Sequence, residues 1–353
     1  MESIEELNSR SLERFKYLLG KIGSGSHTSR DLSRQESAEA LEIMLKGKAS
    51  AAQIGAFLIA HRIRRPTPEE LAGMLDTYRN LGPQLSSQSG QIRPICFGMP
   101  FDGRNKMAPI YPLTTLILLS QKQPVVLQGG RRMPVKYGVT TIELFEALGL
   151  KIQGLSMKRI ETEFKNNGFA FIYQPNQFPL AESLINYRDE IGKRPPLATL
   201  ELLWTAHSGE HLMISGFVHP ATQELALQAL KRYGEADFIL IKGLEGGIDI
   251  PISRKCIAIQ VKSEHYEKNI LNPSDNNLLG KDIRWEGLDE WKKDALEALD
   301  NKGPLKDPLI WNAGNYLWLC GKAQNISEGI LQAKEAIESG KTKETLEKIY
   351  KKN

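Results

Sequence analysis

Two short basic loops carry the residues in this sequence that are best suited to chemistry. Each loop follows a short apolar run, over 94–98 and over 124–127, and combines glycine with arginine and lysine. The residues concerned are Gly98, Asp102, Gly103, Arg104 and Lys106 in the first loop, and Gly129, Arg131, Arg132 and Lys136 in the second. Backbone N–H groups beside glycine, together with cationic side chains, form sites for phosphate and other anions. The pattern indicates an anion site, although turn-forming glycines and solvated arginines would give the same residues.

The loops lie within a segment in which strand-like and helix-like runs alternate. The run 94–98 precedes an apolar stretch of helical length over 111–120, and the run 124–127 precedes a capped helix over 140–148 that Gly149 ends. In an open parallel sheet, ligands bind outside the carboxyl ends of the strands. Because each loop follows a strand, we expect both loops to lie at that edge.

The rest of the chain divides into a helical start and an alternating remainder. Residues 10–82 show helical spacing of apolar residues, and capping boxes begin at Ser33, Ser50 and Thr67. Further strands are expected over 168–173, 212–216, 237–241 and 257–261. Helices followed by alternating strands and helices predict an α/β fold class, with a small N-terminal all-helical domain beside a large α/β domain.

Four other segments are less regular in sequence. Residues 83–91 are polar and typical of a linker, and residues 178–191 are amphipathic and predict one helix. Residues 265–305 are polar and indicate no regular element. The lysine-rich end over 341–353 is typical of a frayed tail.

Length and composition bound the class of protein. The 353 residues suffice for about two domains, and 25% charged with 41% hydrophobic residues is ordinary for a globular protein. The net charge of +4 is modest, so total charge does not establish a nucleic-acid partner. The start of the chain is acidic and polar, and no apolar run approaches the ~18 residues of a membrane span. We therefore expect no signal peptide, no membrane partner and a cytoplasmic location.

The cysteines and histidines give no clear metal signal in sequence. Cys96, Cys256 and Cys320 lie far apart and form no Cys-x-x-Cys pair, so neither a disulfide framework nor a structural zinc site is expected. His207 and His211 have i, i+4 spacing, but no third ligand is apparent. Their positions favour loop or helix-end roles.

The helical start resembles that of a known family. Its segments Leu32-Ser33-Arg34-Gln35-Glu36, Ala52-Gln53-Ile54-Gly55-Ala56-Phe57-Leu58 and Thr67-Pro68-Glu69-Glu70-Leu71-Ala72-Gly73 are similar to the beginning of the anthranilate phosphoribosyltransferases. The order of later segments resembles the same family to about residue 261. The resemblance implies a helical domain over 1–82 completed by residues near 180–205, a linker over 83–91, and an α/β domain over 92–179 and 206–353 with a central, mostly parallel sheet. It also implies a homodimer joined through the helical domains.

The residues that bind phosphate in this family differ in this chain. The resemblance aligns the family's diphosphate loop, Gly-Thr-Gly-Gly-Asp, with Gly98-Met99-Pro100-Phe101-Asp102. Pro100 has no backbone N–H to donate, and Phe101 places a ring where a phosphate would lie. The family's Lys-His-Gly-Asn aligns with Leu127-Gln128-Gly129-Gly130, which keeps one glycine and loses the lysine and histidine. Lys136 is retained from the next segment.

The metal and acceptor sites of the family are retained only in part. The family's magnesium-binding Asp-Glu pair aligns with Ile248-Asp249, so one carboxylate is lost unless Glu245 replaces it. The resemblance therefore implies Mg²⁺ as a cofactor only if the chain is an active enzyme. Arg188 aligns near the arginine that the family uses for its aromatic acid, and Arg194 near that arginine's neighbour, although ordinary surface roles would suit both equally. No residue is assigned as a catalytic acid, base or nucleophile.

The first functional hypothesis is a nucleic-acid-binding protein. A degenerate diphosphate loop beside retained cations resembles a paralogous group, the anthranilate-phosphoribosyltransferase-like proteins that bind nucleic acid. On this hypothesis a basic cleft binds nucleic acid without sequence preference. One rim of the cleft is expected to carry Arg104, Lys106, Arg131, Arg132 and Lys136, and the opposite rim Arg188, Lys193 and Arg194.

The alternative is an active glycosyltransferase of the pentosyltransferase class. It would transfer phosphoribose from phosphoribosyl diphosphate to anthranilate or another aromatic acceptor, and the retained residues Asp102, Lys136, Arg188 and Asp249 favour it. A nucleoside phosphorylase, which shares the fold, is a variant of this alternative. A third interpretation is a scaffold whose cleft binds a different small anion.

Overall fold

The N-terminal helices are fixed by local sequence signals. The computed structural model describes residues 4–25, 27–86, 92–263 and 265–350. The chain begins with helices α1 (Ile4–Gly23), α2 (Arg34–Leu45), α3 (Ala51–Arg64) and α4 (Pro68–Leu81). The predicted capping boxes at Ser33, Ser50 and Thr67 are confirmed, because each side chain accepts a hydrogen bond from the N3 amide. Residues 87–91 of the predicted linker lie outside the described residues.

Within the described residues, a seven-stranded sheet forms the centre of the α/β part. Its strands are β1 (Ile95–Gly98), β2 (Val125–Gly129), β3 (Phe169–Tyr173), β4 (Leu212–Gly216), β5 (Asp237–Ile241), β6 (Cys256–Lys262) and β7 (His265–Leu271). Their spatial order is β3-β2-β1-β4-β5-β6-β7. Strands β1 to β5 are parallel, and β6 pairs antiparallel with β5 and β7. The predicted fold class, a helical domain with a mostly parallel α/β domain, is confirmed.

The remaining helices cover the sheet. They are α5 (Tyr111–Ser120), α6 (Thr141–Ala147), α7 (Met157–Asn167), α8 (Gln174–Gln177), α9 (Pro179–Glu182), α10 (Ile185–Glu190), α11 (Leu197–Leu203), α12 (Pro220–Tyr233), α13 (Leu288–Leu299), α14 (Lys306–Leu319), α15 (Ile326–Glu338) and α16 (Lys341–Lys348). Helix α5 is apolar all round because it is enclosed, with α14, α15 and α16 packed against it. Among the described helices, none is both long and apolar enough to cross a bilayer.

Two predictions about the last part of the chain are wrong. Residues 265–305 include β7 and α13, and β7 lacks an apolar run because it is an edge strand with mostly exposed side chains. The lysine-rich end forms α16 up to residue 348, followed by the buried residues Ile349 and Tyr350. The Phe171 N–H donates to the Tyr350 hydroxyl at 3.3 Å. Residues 351–353 lie outside the described residues.

The segment between β3 and β4 joins the helical bundle to the sheet. Residues 178–191 form α9 and α10 rather than the single helix predicted. Helix α10 contacts α3, and α11 contacts both α4 and β1. The segment therefore lies between the helical bundle and the sheet, which it contacts at the central strand β1. The domain bounds given above stay a prediction.

Helices α2 and α4 approach so closely that one position admits only glycine. A Cβ on Gly73 would lie 2.1 Å from the Arg34 carbonyl oxygen, whereas a Cβ on Gly55 in α3 would meet no atom within 4 Å. We expect Gly73→Ala to lower the free energy of unfolding by about 1–3 kcal/mol through overpacking. Gly55→Ala is the matched control and should be neutral or stabilising by up to about 1 kcal/mol. Urea unfolding measures both, and equal midpoints would contradict the close approach.

Candidate functional site

The two basic loops lie side by side at the carboxyl edge of the sheet, as expected. Strands β1 and β2 pair in parallel, so the loops that follow them leave the same edge. The loops are also bonded to each other, because Arg104 donates to Val139 at 3.2 Å and Val139 donates back at 2.8 Å. Helices α10 and α11 lie across from them and carry Arg188 and Glu201. We call the space between these elements the cleft.

Arg104 is the buried centre of a first group of charges in the cleft. Its side chain is 2% exposed, its Nη1 donates to Asp249 Oδ2 at 2.7 Å, and its Nε lies 3.4 Å from Glu245 Oε1. Asp249 also accepts the backbone N–H of Ile110 at 2.9 Å. Burial raises the pKa of Asp249, and the adjacent Arg104 guanidinium opposes that rise. Arg104 thus contacts both carboxylates that were predicted as metal ligands.

Glu245 connects this group to Lys136. The Glu245 carboxylate accepts the backbone N–H of Met107 at 2.9 Å, and Lys136 Nζ lies 3.6 Å from it. Burial alone would raise the pKa of Glu245, but the Arg104 charge and backbone donors hold it below its ordinary value. Lys136 also donates to the carbonyl oxygens of Gly103 and Glu245 at 3.4 Å, and partial burial lowers its pKa. Its side chain is one-fifth exposed, so this ammonium still reaches solvent.

A second group of charges fastens α10 and α11 to the first loop. Arg188 donates to Glu201, and its Nη2 lies 3.9 Å from Asp102 Oδ2. Arg194 donates to the same Asp102 oxygen, while Glu201 accepts the backbone N–H of Phe101 at 3.1 Å. Burial raises the pKa of Glu201, and the charge of Arg188 opposes the rise. These bonds hold the wall formed by α10 and α11 against the loop after β1.

The expectation that Arg104 and Arg188 lie on an exposed rim is wrong. Both residues are buried, at 1% and 2% exposure, because their carboxylate partners lie in the interior of the cleft. The cations of the two charge groups are matched one for one by carboxylates. These are Arg104, Lys136, Arg188 and Arg194 against Asp102, Glu201, Glu245 and Asp249. The formal charges of the cleft therefore cancel.

The exposed arginines of the expected rim are paired as well. Arg131 donates to Glu182, and Arg132 donates to Glu143 at 2.8 Å. Within the described part of the chain, two of the predicted cations are exposed and lie farther than 4.0 Å from any carboxylate oxygen: Lys106 and Lys193. An incoming anion thus meets mostly neutral pairs rather than free positive charge.

The glycines of the loops have packing and turn roles. A Cβ on Gly98 would lie 1.9 Å from the Leu202 carbonyl oxygen, so glycine lets β1 approach α11. Gly103 has a φ of +77°, which favours glycine in the turn. A Cβ on Gly129 would lie 3.2 Å from the ring of Phe171. These roles account for the three glycines without a bound phosphate.

Phe101 fills part of the cleft. Its ring is buried with Met133 and Ile185 in a small apolar cluster, and its backbone N–H is already bonded to Glu201. The stretch 98–102 therefore offers an anion neither that N–H nor the volume that the ring occupies.

Glu201 is the site residue that sequence reasoning missed. It lies in the otherwise apolar run over 197–204 and is buried. A carboxylate is rarely buried without a partner, so a lone acid in such a run was the available signal for a buried arginine nearby.

Two protein-family models match the chain and define its class. The helical bundle domain of the glycosyl transferase family matches residues 16–82, and the a/b domain of the same family matches residues 113–343. The chain belongs to this family, glycosyl transferase family 3, the family of the anthranilate phosphoribosyltransferases. The resemblance at family level is confirmed.

Relatives span nearly the whole chain. The anthranilate phosphoribosyltransferase of Rhodopseudomonas palustris (strain BisB18) is 27% identical over 330 residues, covering 92% of this chain and 94% of the relative. Among solved structures, the Thermus thermophilus enzyme of that name has a TM-score of 0.76 at 21% identity, covering 96% and 98% of the two chains. The Saccharomyces cerevisiae enzyme in complex with PRPP (phosphoribosyl diphosphate) and Mg has a TM-score of 0.78 at 17% identity, covering 95% and 96%. At these identities the structures establish a shared fold.

The carboxylates of Asp249 and Glu245 do not fit a Mg²⁺ ion. Mg²⁺ requires near-octahedral oxygen ligands at short distances. Here Asp249 Oδ2 accepts from Arg104 and from a backbone N–H, and Glu245 accepts from backbone N–H groups. Asp249 Oδ1 is buried without a hydrogen-bond partner among the described residues, but an ion there would meet the Arg104 guanidinium. Arg104 supplies the positive charge that a divalent ion would otherwise bring.

Removal of Arg104 tests this assignment. We expect Arg104→Ala to lower the free energy of unfolding by about 3–5 kcal/mol, because Asp249 stays buried without its cation. Mn²⁺, a paramagnetic substitute for Mg²⁺, should not bind the carboxylates of Asp249 and Glu245 in the wild type and should bind them in Arg104→Ala. Urea unfolding and titration by electron paramagnetic resonance measure the two effects.

The control for the new ion site is the double variant Arg104→Ala with Asp249→Asn, which should bind no Mn²⁺ there. Wild-type protein that binds Mn²⁺, and loses the ion in Asp249→Asn alone, would contradict the role assigned to Arg104.

Proposed function

We propose that this protein is a pentosyltransferase that transfers phosphoribose from phosphoribosyl diphosphate to anthranilate or a related aromatic acid. The observation that supports this most directly is the convergence of Lys136 and Arg194 on the loop after β1, which itself carries Arg104. Relatives that match almost the full length carry the name of that activity. The homodimer implied by the family resemblance is part of the proposal.

The reaction places specific demands on these cations. Transfer breaks the bond between ribose C1 and a diphosphate oxygen, a bond to the acceptor's amino nitrogen forms in its place, and that nitrogen releases one proton to solvent. The diphosphate leaves with negative charge, so fixed cations beside it lower the barrier. Lys136 and Arg194 are partly exposed and would bind phosphate oxygens of the substrate. Those oxygens would replace the carboxylates that the two cations now contact, Glu245 for Lys136 and Asp102 for Arg194. Arg188, which is buried behind them, would hold that wall of the cleft in place.

Arg104 removes the need for a metal ion at Asp249 and Glu245. Because its guanidinium is always charged and belongs to the chain, it offsets one of the two negative charges of Asp249 and Glu245 under all conditions, and Lys136 lies beside Glu245 to offset the other. The proposed transfer therefore does not depend on an ion held by these two residues.

A turnover assay tests the proposal. Purified protein with phosphoribosyl diphosphate and anthranilate should form the phosphoribosyl adduct, followed by loss of anthranilate fluorescence and by product mass. We expect Lys136→Met to lower kcat/KM by roughly 100-fold or more, as for loss of one donor to a developing oxyanion.

The matched control is Lys151→Met, which removes an exposed lysine outside the cleft and should retain wild-type turnover. Folded protein that neither turns over nor binds phosphoribosyl diphosphate in calorimetry would contradict the proposed transfer.

The second candidate is non-specific binding of nucleic acid. What supports it is the exposed pair Lys106 and Lys193 on two sides of the cleft, together with the exposed Arg131 and Arg132 of the second loop. The carboxylate partners of the arginines reduce the charge available to phosphates, so the transferase is preferred.

Salt dependence tests this second candidate. Binding of a labelled single-stranded oligonucleotide should weaken linearly with the logarithm of salt concentration. The double variant Lys106→Gln with Lys193→Gln should reduce the magnitude of that slope by about 1.4, from two lost phosphate contacts. Lys151→Gln should not change the slope. No measurable binding at low salt, or a slope unaffected by the double variant, would eliminate this cleft as a nucleic-acid site.

A further inference from the structure

A cysteine and two histidines meet at the opposite edge of the sheet from the cleft. Cys96 lies in β1, and His207 and His211 lie in the loop between α11 and β4. One ligand atom from each of the three lies within 4.8 Å of the others. Because β1 pairs with β4 in parallel, Cys96 is set beside the strand that begins directly after His211. The third ligand that the histidine spacing lacked is thus supplied by a distant strand.

The location separates this cluster from the proposed transfer site. The loops of the cleft follow the ends of β1 and β2, whereas His211 directly precedes β4 and so lies at the starts of the parallel strands. A cavity of about 560 Å³ opens at this edge and is lined by both histidines. Other residues that line it are Arg79, Arg93, Thr205, Glu235 and Asp237.

The surroundings of the histidine rings match those of metal ligands. The Gly209 carbonyl oxygen lies 2.7 Å from His211 Nδ1 and 3.3 Å from His207 Nδ1. Histidines that bind metals usually donate their other ring N–H to a carbonyl or carboxylate, which fixes the tautomer. With Nδ1 donating to Gly209, Nε2 is the nitrogen of each ring that can coordinate; beside Glu235 the His211 Nε2 favours a proton in the metal-free protein, which a bound metal would displace.

His211 Nε2 also lacks a hydrogen bond. It is buried and has no hydrogen-bond partner among the described residues, although Glu235 Oε2 lies 3.3 Å away. Adjacent ligands of a tetrahedral zinc ion lie roughly 3.3–3.6 Å apart, given zinc–nitrogen, zinc–oxygen and zinc–sulfur bonds of about 2.0–2.3 Å. The separation of His211 and Glu235 therefore already equals that between two ligands of one ion.

We propose that Cys96, His207 and His211, whose ligand atoms meet, form a zinc site at the amino edge of the sheet, and that Glu235, which lies beside His211, completes the site by moving toward the other ligands. Thiolate and imidazole ligands select Zn²⁺ over Mg²⁺ or Ca²⁺, which prefer oxygen. Coordination replaces the S–H bond of Cys96 with an S–Zn bond and the N–H bond of a protonated His211 Nε2 with an N–Zn bond, and the displaced protons go to solvent. The three nitrogen and sulfur ligands must draw together by about 1 Å from their 4.8 Å spread to reach tetrahedral separations. The site joins β1 to the loop before β4 and is independent of the proposed transferase activity.

Metal analysis of the full chain, purified without an affinity tag, tests the site. After dialysis, plasma mass spectrometry should find zinc approaching one ion per chain. Titration of metal-free protein with Co²⁺ should give a thiolate-to-cobalt charge-transfer band in the near ultraviolet. Zinc should also raise the midpoint of thermal unfolding, because it binds only the folded state.

Variants assign the ligands. Cys96→Ser should abolish the charge-transfer band, and the partly exposed His211→Asn should weaken Co²⁺ binding at least about tenfold. Cys320→Ser and His219→Asn are matched controls outside the cluster and should behave as wild type. Folded wild-type protein that binds neither zinc nor Co²⁺ would overturn the proposal and leave His211 and Glu235 as an ordinary ion pair. A band that survives Cys96→Ser would overturn the assignment of the thiol.

Discussion

Compensation of buried charge is the constraint on which this cleft depends. Arg104 and Arg188 are buried, and a buried ion without a partner costs several kcal/mol. Each guanidinium therefore fixes its carboxylates: Arg104 holds Asp249 and Glu245, which follow β5 far along the chain, and Arg188 holds Glu201 in the next helix, α11. These pairs hold together the loops after β1, β2 and β5 and the wall of α10 and α11. A shift of one loop would leave a charged side chain buried without its partner.

The same compensation gives the cleft a fixed electrical balance. A bound divalent ion can dissociate and be replaced, whereas the Arg104 charge is permanent and positioned by the backbone of its loop. The site is therefore preorganised but electrically balanced. A ligand gains affinity only if its own oxygens replace a carboxylate at Lys136 or Arg194, so the cleft selects for anions with several oxygens that can make such an exchange.

What could be predicted from sequence was what the sequence encodes locally. The capping boxes at Ser33, Ser50 and Thr67 formed because the two partners are three residues apart. The apolar helix α5 and the inner strands have continuous apolar runs and were found for the same reason. The partners of the arginines could not be found in this way, because Asp249 is 145 positions from Arg104 and no spacing rule joins them. The exposed strand β7 and the proximity of Cys96 to two histidines likewise exist only once the sheet is assembled.

The bonds between the two walls of the cleft differ in their exposure to water. Arg188 is sealed inside, whereas the side chains of Arg131 and Arg194, which bind Glu182 and Asp102 across the gap, are 46% and 41% exposed. Mobile ions screen exposed pairs far more than buried ones. Rising ionic strength would therefore weaken the pair Arg131–Glu182 first, whereas the buried carboxylates of Asp102 and Glu201 would keep their arginines and with them the inner contacts between the walls.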